Sequence, residues 1–123
     1  MLNDIINIDL HIHSIESEYK EEKGYLNNST IDNIDVLLKK LNENNINLFA
    51  ITDHNRFDKN LYDKIKTLIG KELYKNILNV LPGIEFDVQI DEGKKACHII
   101  CIFDDSKPEK LSNINTVLNK KIN

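Results

Sequence analysis

Apolar residues fall in runs of two alternating kinds along the chain. Ile5 to Ile12 is rich in β-branched residues and predicts a strand. Ser14 to Ser29 is polar and irregular, with Gly24, Asn27 and Asn28 as breakers. From Thr30 to Asn44 the apolar positions are Ile31, Ile34, Leu37, Leu38 and Leu41, the spacing of one helix face. Ser29 or Thr30 can cap this helix, and the Ser29 to Asp32 spacing resembles a capping box. Asn44-Asn45 can end it in a left-handed turn. Ile46 to Thr52 is nearly all apolar, as in a strand covered on both faces. Asp58 starts a second helix with Leu61, Ile65, Leu68 and Ile69 on one face. Gly70 interrupts it, and Lys71 to Leu78 adds two turns. Asn79 to Ile90 and Lys95 to Phe103 are extended, joined by the hairpin-turn composition Asp91-Glu92-Gly93-Lys94. Pro108 suits the first turn of a last helix carrying Leu111, Ile114, Val117 and Leu118. The order β-α-β-α-β-β-α predicts an α/β fold with a mainly parallel sheet, open or part of a barrel.

The 123 residues suffice for one small domain, and no repeat or Pro/Gly-rich linker divides them. With 29% charged and 41% hydrophobic residues the chain is not a disordered polar tail. No apolar run approaches the roughly 20 residues of a membrane span. Met1-Leu2-Asn3-Asp4 has no basic n-region, so a cytoplasmic location is expected. The formal charge of −4 excludes a domain that grips nucleic acid by charge alone. The abundance of Ile, Asn and Lys reads as codon usage. Cys97 and Cys101 would face the same way about 13 Å apart in a strand, too far for a disulfide, and read as small core residues.

All four histidines fall at strands or strand ends. In Asp9-Leu10-His11-Ile12-His13 strict alternation puts Asp9, His11 and His13 on one face. That face is either a solvated strand surface or a pair of imidazoles able to close on one metal. Asp53-His54 follows the apolar strand. It is either a turn with a helix cap, or a ligand, His54, beside an acid that ligates or orients an imidazole. Glu85 lies inside Leu81-Pro82-Gly83-Ile84-Glu85-Phe86, where an unpaired carboxylate is costly unless the strand is an exposed edge or a cation is bound. His98, among Cys97, Ile99, Ile100 and Cys101, is a core histidine or a further ligand. Four strands that each offer a His or Glu make independent accidents a poor explanation.

This order of motifs resembles the PHP (polymerase and histidinol phosphatase) family of metal-dependent phosphoesterases: Asp-x-His-x-His-Ser, Thr-Asp-His, Pro-Gly-Ile-Glu-Phe, then a His in the next apolar strand. The resemblance spans residues 7 to 103. It implies a distorted (β/α)7 barrel with two to three metals at the carboxyl ends of the strands. It also implies that His11 and His13 bind the first metal, Glu85 bridges the first and second, His98 binds the second, and His54 binds the third. Where many members have an Asp-Gly that serves the third metal, this sequence has Glu18-Tyr19, so Glu18 takes the ligand position with altered loop geometry. Asp9 and Asp53 fall in the shell behind the ligands. The family's later His and Asp-x-His have no counterpart here, since no histidine follows His98. The expectation is therefore a partial barrel, a single PHP-like domain over 1–123 incomplete at its C-terminus.

The implied activity is hydrolysis of a phosphate ester on a nucleotide, a nucleic-acid end or a small metabolite, with Glu85 as the central catalytic carboxylate. Mixed imidazole and carboxylate ligands suit Mn, Zn or Fe. Arg56, the only arginine, is a candidate phosphate contact or a solvent-exposed residue. The rival reading is a non-catalytic remnant of such a domain, serving assembly with a partner or within a larger protein such as a defence-type ATPase. Self-association or a companion C-terminal segment would then cover the open sheet.

Overall fold

The computed structural model describes residues 5–14, 32–88 and 97–117. Its architecture is α/β. The strands β1 (Ile8–Ile12), β2 (Leu48–His54), β3 (Asn79–Val88) and β4 (Cys97–Ile102) form one sheet in the order β1-β2-β3-β4. β1, β2 and β3 are parallel and β4 is antiparallel to β3. Strands laid down in sequential order build a barrel wall, and this sheet curls into a half-barrel.

Both crossovers advance in the same direction, so α1 (Ile34–Glu43) and α2 (Lys59–Ile69) cover the same outer face. α1 buries Ile34, Leu37, Leu38 and Leu41, and α2 buries Leu61, Tyr62, Ile65 and Leu68. These stripes meet Phe49, Val80 and Ile84 of the sheet in one core, which Leu111 closes from the C-terminal side. Since strand side chains alternate, Thr52, His54, Gly83 and Glu85 occupy the opposite, inner face. Gly83 is required there by close approach. A Cβ at this position would lie 2.9 Å from Ile102 Cδ1, 2.9 Å from Thr52 Cγ2 and 3.1 Å from the Cys101 carbonyl oxygen.

Asparagine and aspartate end the helices. Asp58 caps α2 by accepting the Leu61 N–H at 3.0 Å. At the end of α1, Asn45 takes φ 55°, Asn45 N–H bonds to the Asn42 carbonyl and Ile46 N–H to the Leu41 carbonyl. That is the Schellman pattern, which Asn tolerates because its short polar side chain suits the left-handed region.

Several expected boundaries move. β1 begins at Ile8, and β2 runs on through His54 instead of ending at Thr52. Lys71 to Leu78 holds only a one-turn 3-10 helix, Glu72–Tyr74, because Tyr74 leaves the helix line to bury its ring and donate its hydroxyl to Asp35 at 2.8 Å. Pro108–Asn113 is a 3-10 helix that passes into a single α-turn, and Val117 is exposed instead of lying on an apolar face. Cys97 is exposed and Cys101 half-buried, so neither is a core residue; both are free thiols. The expected Ser29–Asp32 capping box, the Asp91–Lys94 turn and Leu118 lie wholly or partly outside the described residues. No helix among the described residues is long and apolar enough to cross a membrane.

Candidate metal centre

The parallel register places His54 directly opposite Glu85, both on the inner face at the carboxyl ends of β2 and β3. The antiparallel register sets His98 opposite Asp87, two residues further along β3 on the same face. β1 brings His11 and His13 in from the other side. Its register is broken: Asp9 pairs with Phe49 and Ile12 with Ile51. Phe49 and Ile51 share a face, so Asp9 and Ile12, three apart, must share one too. The expected strict alternation is thus corrected by a bulge, the usual device for re-aiming a side chain at a strand end. The Thr52 hydroxyl donates to the Leu10 carbonyl at 3.2 Å beside it.

The result is a ring of imidazoles around one buried carboxylate. Glu85 is 2% exposed. Its Oε2 lies 2.6 Å from His13 Nε2, 3.2 Å from His11 Nε2 and 3.4 Å from His54 Nε2, and its Oε1 lies 2.9 Å from His98 Nδ1. Burial pushes the Glu85 carboxyl up. The hydrogen bonds from His98, His13 and His11, with the charge of His54, outweigh burial and bring it down to about 2. Glu85 is therefore an anion at neutral pH. The rings stand close together, with centroids 5.0 Å apart for His11–His13, 4.5 Å for His13–His54 and 5.6 Å for His54–His98.

Backbone-directed bonds hold the ring in place. The Asp9 carboxylate accepts the His11 N–H at 3.1 Å. Asp53 is buried under the site and accepts both the Ser14 N–H and the Ser14 hydroxyl, each at 2.5 Å. Desolvation raises the Asp53 carboxyl, and the Ser14 bonds oppose that rise. The pair fixes the residue after His13 against the end of β2. Asn55, at φ 53°, donates its N–H to the Glu85 carbonyl at 2.9 Å, and its side-chain oxygen accepts the Asp87 N–H at 3.2 Å. One residue thereby sets the spacing of both carboxylates on β3.

Of the site residues read from the sequence, His11, His13, His54, Glu85 and His98 converge, while Glu18 lies outside the described residues. Arg56 is exposed and borders a small cavity with Asp53, Phe57 and Leu61 on the helix side of the sheet. The Asp104-Asp105 carboxylates lie at the far end. β4 is antiparallel and leaves β3 at Gly83, running away from the carboxyl end, and Asp105 beyond it pairs with Lys66 at 3.3 Å. Ser14, Asn55 and Asp87 join the centre without having been expected as site residues; Asn55, a candidate helix cap in the sequence, leaves that cap to Asp58. Asp87 carried a signal, since Glu85-Phe86-Asp87 alternates as His11-Ile12-His13 does.

Two groups of donor atoms emerge, His11, His13 and Glu85 in one and His54, Asp87 and His98 in the other. The first joins two imidazoles to a carboxylate, a donor set that suits zinc or another first-row transition metal. A scan of protein-family models, a search of curated proteins and a search of solved structures each find no match to this chain.

Proposed function

We propose that this chain is a metal-dependent phosphoesterase of the PHP kind, working in the cytoplasm on a phosphate ester of a nucleotide, a nucleic-acid end or a small metabolite. The observation that carries the reading is one buried, ionised carboxylate encircled by four imidazoles at the carboxyl end of a curled parallel sheet. Strand carboxyl ends are where barrel enzymes gather catalytic groups. His11, His13 and Glu85 would hold one Mn, Zn or Fe ion. Two to three such ions supply Lewis acidity and local positive charge, which lets an acidic chain receive an anionic ester. Glu85 keeps its negative charge at working pH and fixes the imidazoles. Asp53 and Asn55 keep the strand ends from spreading.

Metal analysis of the purified chain, followed by a phosphoesterase panel with and without chelator, tests this. The expected result is bound transition metal and hydrolysis that chelation abolishes and Mn or Zn restores. A chain that takes up no transition metal overturns the reading. The sheet edges, which pair with no further strand among the described residues, favour a second reading, assembly with a companion segment or protein, in which the centre binds metal but hydrolyses nothing in the assembled state.

A further inference from the structure

We propose that Asp87 completes a second cation site with His54 and His98, separate from the His11, His13 and Glu85 group. The inference rests on reading the centre as a metal centre and adds a ligand that the motifs do not supply. Both imidazoles stand between two carboxylates. His54 turns Nε2 toward Glu85 Oε2 and Nδ1 toward Asp87 Oδ1, each at 3.4 Å. His98 turns Nδ1 toward Glu85 Oε1 at 2.9 Å and Nε2 toward Asp87 Oδ1 at 3.4 Å.

A neutral imidazole has one N–H and one lone pair. His98 meets Glu85 Oε1 through Nδ1, which leaves its Nε2 facing Asp87 Oδ1, itself only an acceptor, and His54 Nδ1 faces the same oxygen. That oxygen is buried, and no hydrogen-bond donor among the described residues meets it. A cation held among these three donor atoms, which lie within 4.8 Å of one another, would satisfy the buried Asp87 oxygen. The spacing agrees. At 3.4 Å the nitrogen-to-oxygen distances exceed those of an ordinary hydrogen bond. They match the ~3.3–3.4 Å edge of a tetrahedron whose metal–ligand bonds are about 2.0–2.1 Å.

Glu85 then does two jobs. It would ligate in the first group through Oε2, and its Oε1 meets His98 Nδ1 at 2.9 Å, which orients that ring. Carboxylate-to-imidazole support of this kind is the common way a ligating histidine is oriented. The two sites would share Glu85, as ligand in the first and as the group that orients His98 in the second. An anionic ester would lie between two cations, with open positions on the exposed side where His11 and His98 are each 55% exposed.

The test is calorimetric titration of the chelator-treated, full 123-residue chain with Zn²⁺, with circular dichroism as the folding control. The wild-type chain is expected to show two binding events. Asp87→Asn should weaken one of them by about 100-fold or more, beyond the ~10–100-fold lost with an outer-sphere partner. His98→Ala should remove the same event, and His11→Ala the other. If Asp87→Asn fails to fold, His98→Ala decides, because that side chain is half exposed on an edge strand. Two events in Asp87→Asn at wild-type affinity, or a single wild-type event that neither Asp87→Asn nor His98→Ala changes, overturn the second site and leave the proposed function standing. No Zn²⁺ binding in the wild type overturns both.

Discussion

Glu85 carries a charge in a place that would deny it to an isolated carboxyl, and the four rings around it are what permit this. Glu85→Gln keeps the shape and removes the charge. The expected outcome is loss of transition metal from the His11–His13 group and loss of any metal-dependent hydrolysis. The metal-free variant should be less stable by about 1–3 kcal/mol, because charge-assisted bonds from His13 and His98 become neutral ones. Metal analysis and urea unfolding check the two halves separately; wild-type metal content in the variant would contradict the ligand assignment. On the far side of the sheet Tyr62 offers a pH readout away from the centre. Burial raises its hydroxyl to about 12, helped by Asp105. This lies above its ordinary value of 10.0, so the folded state holds the proton more tightly. The stability that follows is complete below pH 10 and is lost as pH rises toward 12. Tyr62→Phe should flatten alkaline unfolding across that window, and ultraviolet titration should show one tyrosine fewer ionising near pH 12 than in the wild type.

At the scale of elements, the helix stripes and the order of strands were legible because burial on one face imposes a period that the sequence must display. Leu61, Ile65 and Leu68 carry that period, and they form the buried side of α2. What was not legible depends on bonds without a period. The bulge in β1 comes from how Asp9 and Thr52 bond the backbone, and no alternation announces it. The abundance of asparagine, read first as codon usage, has structural consequences. Asn45 and Asn55 take left-handed turns, and Asn47, Asn76 and Asn115 bond the backbone of distant segments. Asn55 joins the end of β2 to β3, so Asn55→Ala should cost about 1–3 kcal/mol, by leaving the Asp87 N–H without its acceptor and by placing at positive φ a residue that lacks asparagine's tolerance of the left-handed region. Gly83 has a similar role within β3. Gly83→Ala would drive a methyl against Thr52, Ile102 and the Cys101 carbonyl, and the last is backbone that cannot rotate away. A loss of about 1–3 kcal/mol in urea unfolding is expected. Unchanged stability would mean that β4 lies further from β3 than the structure has it.

At the scale of the molecule the sheet is a half-barrel, and among the described residues it ends in β1 on one side and β4 on the other. Neither outer edge pairs with another strand among the described residues. Apolar side chains gather at both edges: Ile5, Ile6 and Ile8 are 84%, 53% and 55% exposed beside β1, and Ile99, Ile100 and Ile102 are 44%, 37% and 37% exposed on β4. Unpaired N–H and C=O groups beside exposed β-branched residues form a template for strand pairing, and little here blunts it, since no charged or proline residue interrupts Ile99 to Phe103. The chain by itself should therefore self-associate, with a light-scattering mass of at least twice its 14.3 kDa that grows with concentration. The driving surface is the edge and not the centre, so chelation should leave the mass unchanged. Placing one lysine on each edge, in Ile8→Lys and Ile99→Lys together, should return the chain toward one copy, because a charge on an edge strand must be desolvated when another strand pairs with it. A wild-type chain that stays a single copy at about 100 μM would show that its edges are already covered. An assembly that dissolves on chelation would move the contact from the sheet edges to the metal centre, where an exposed His11 or His98 of one copy would reach the site of another.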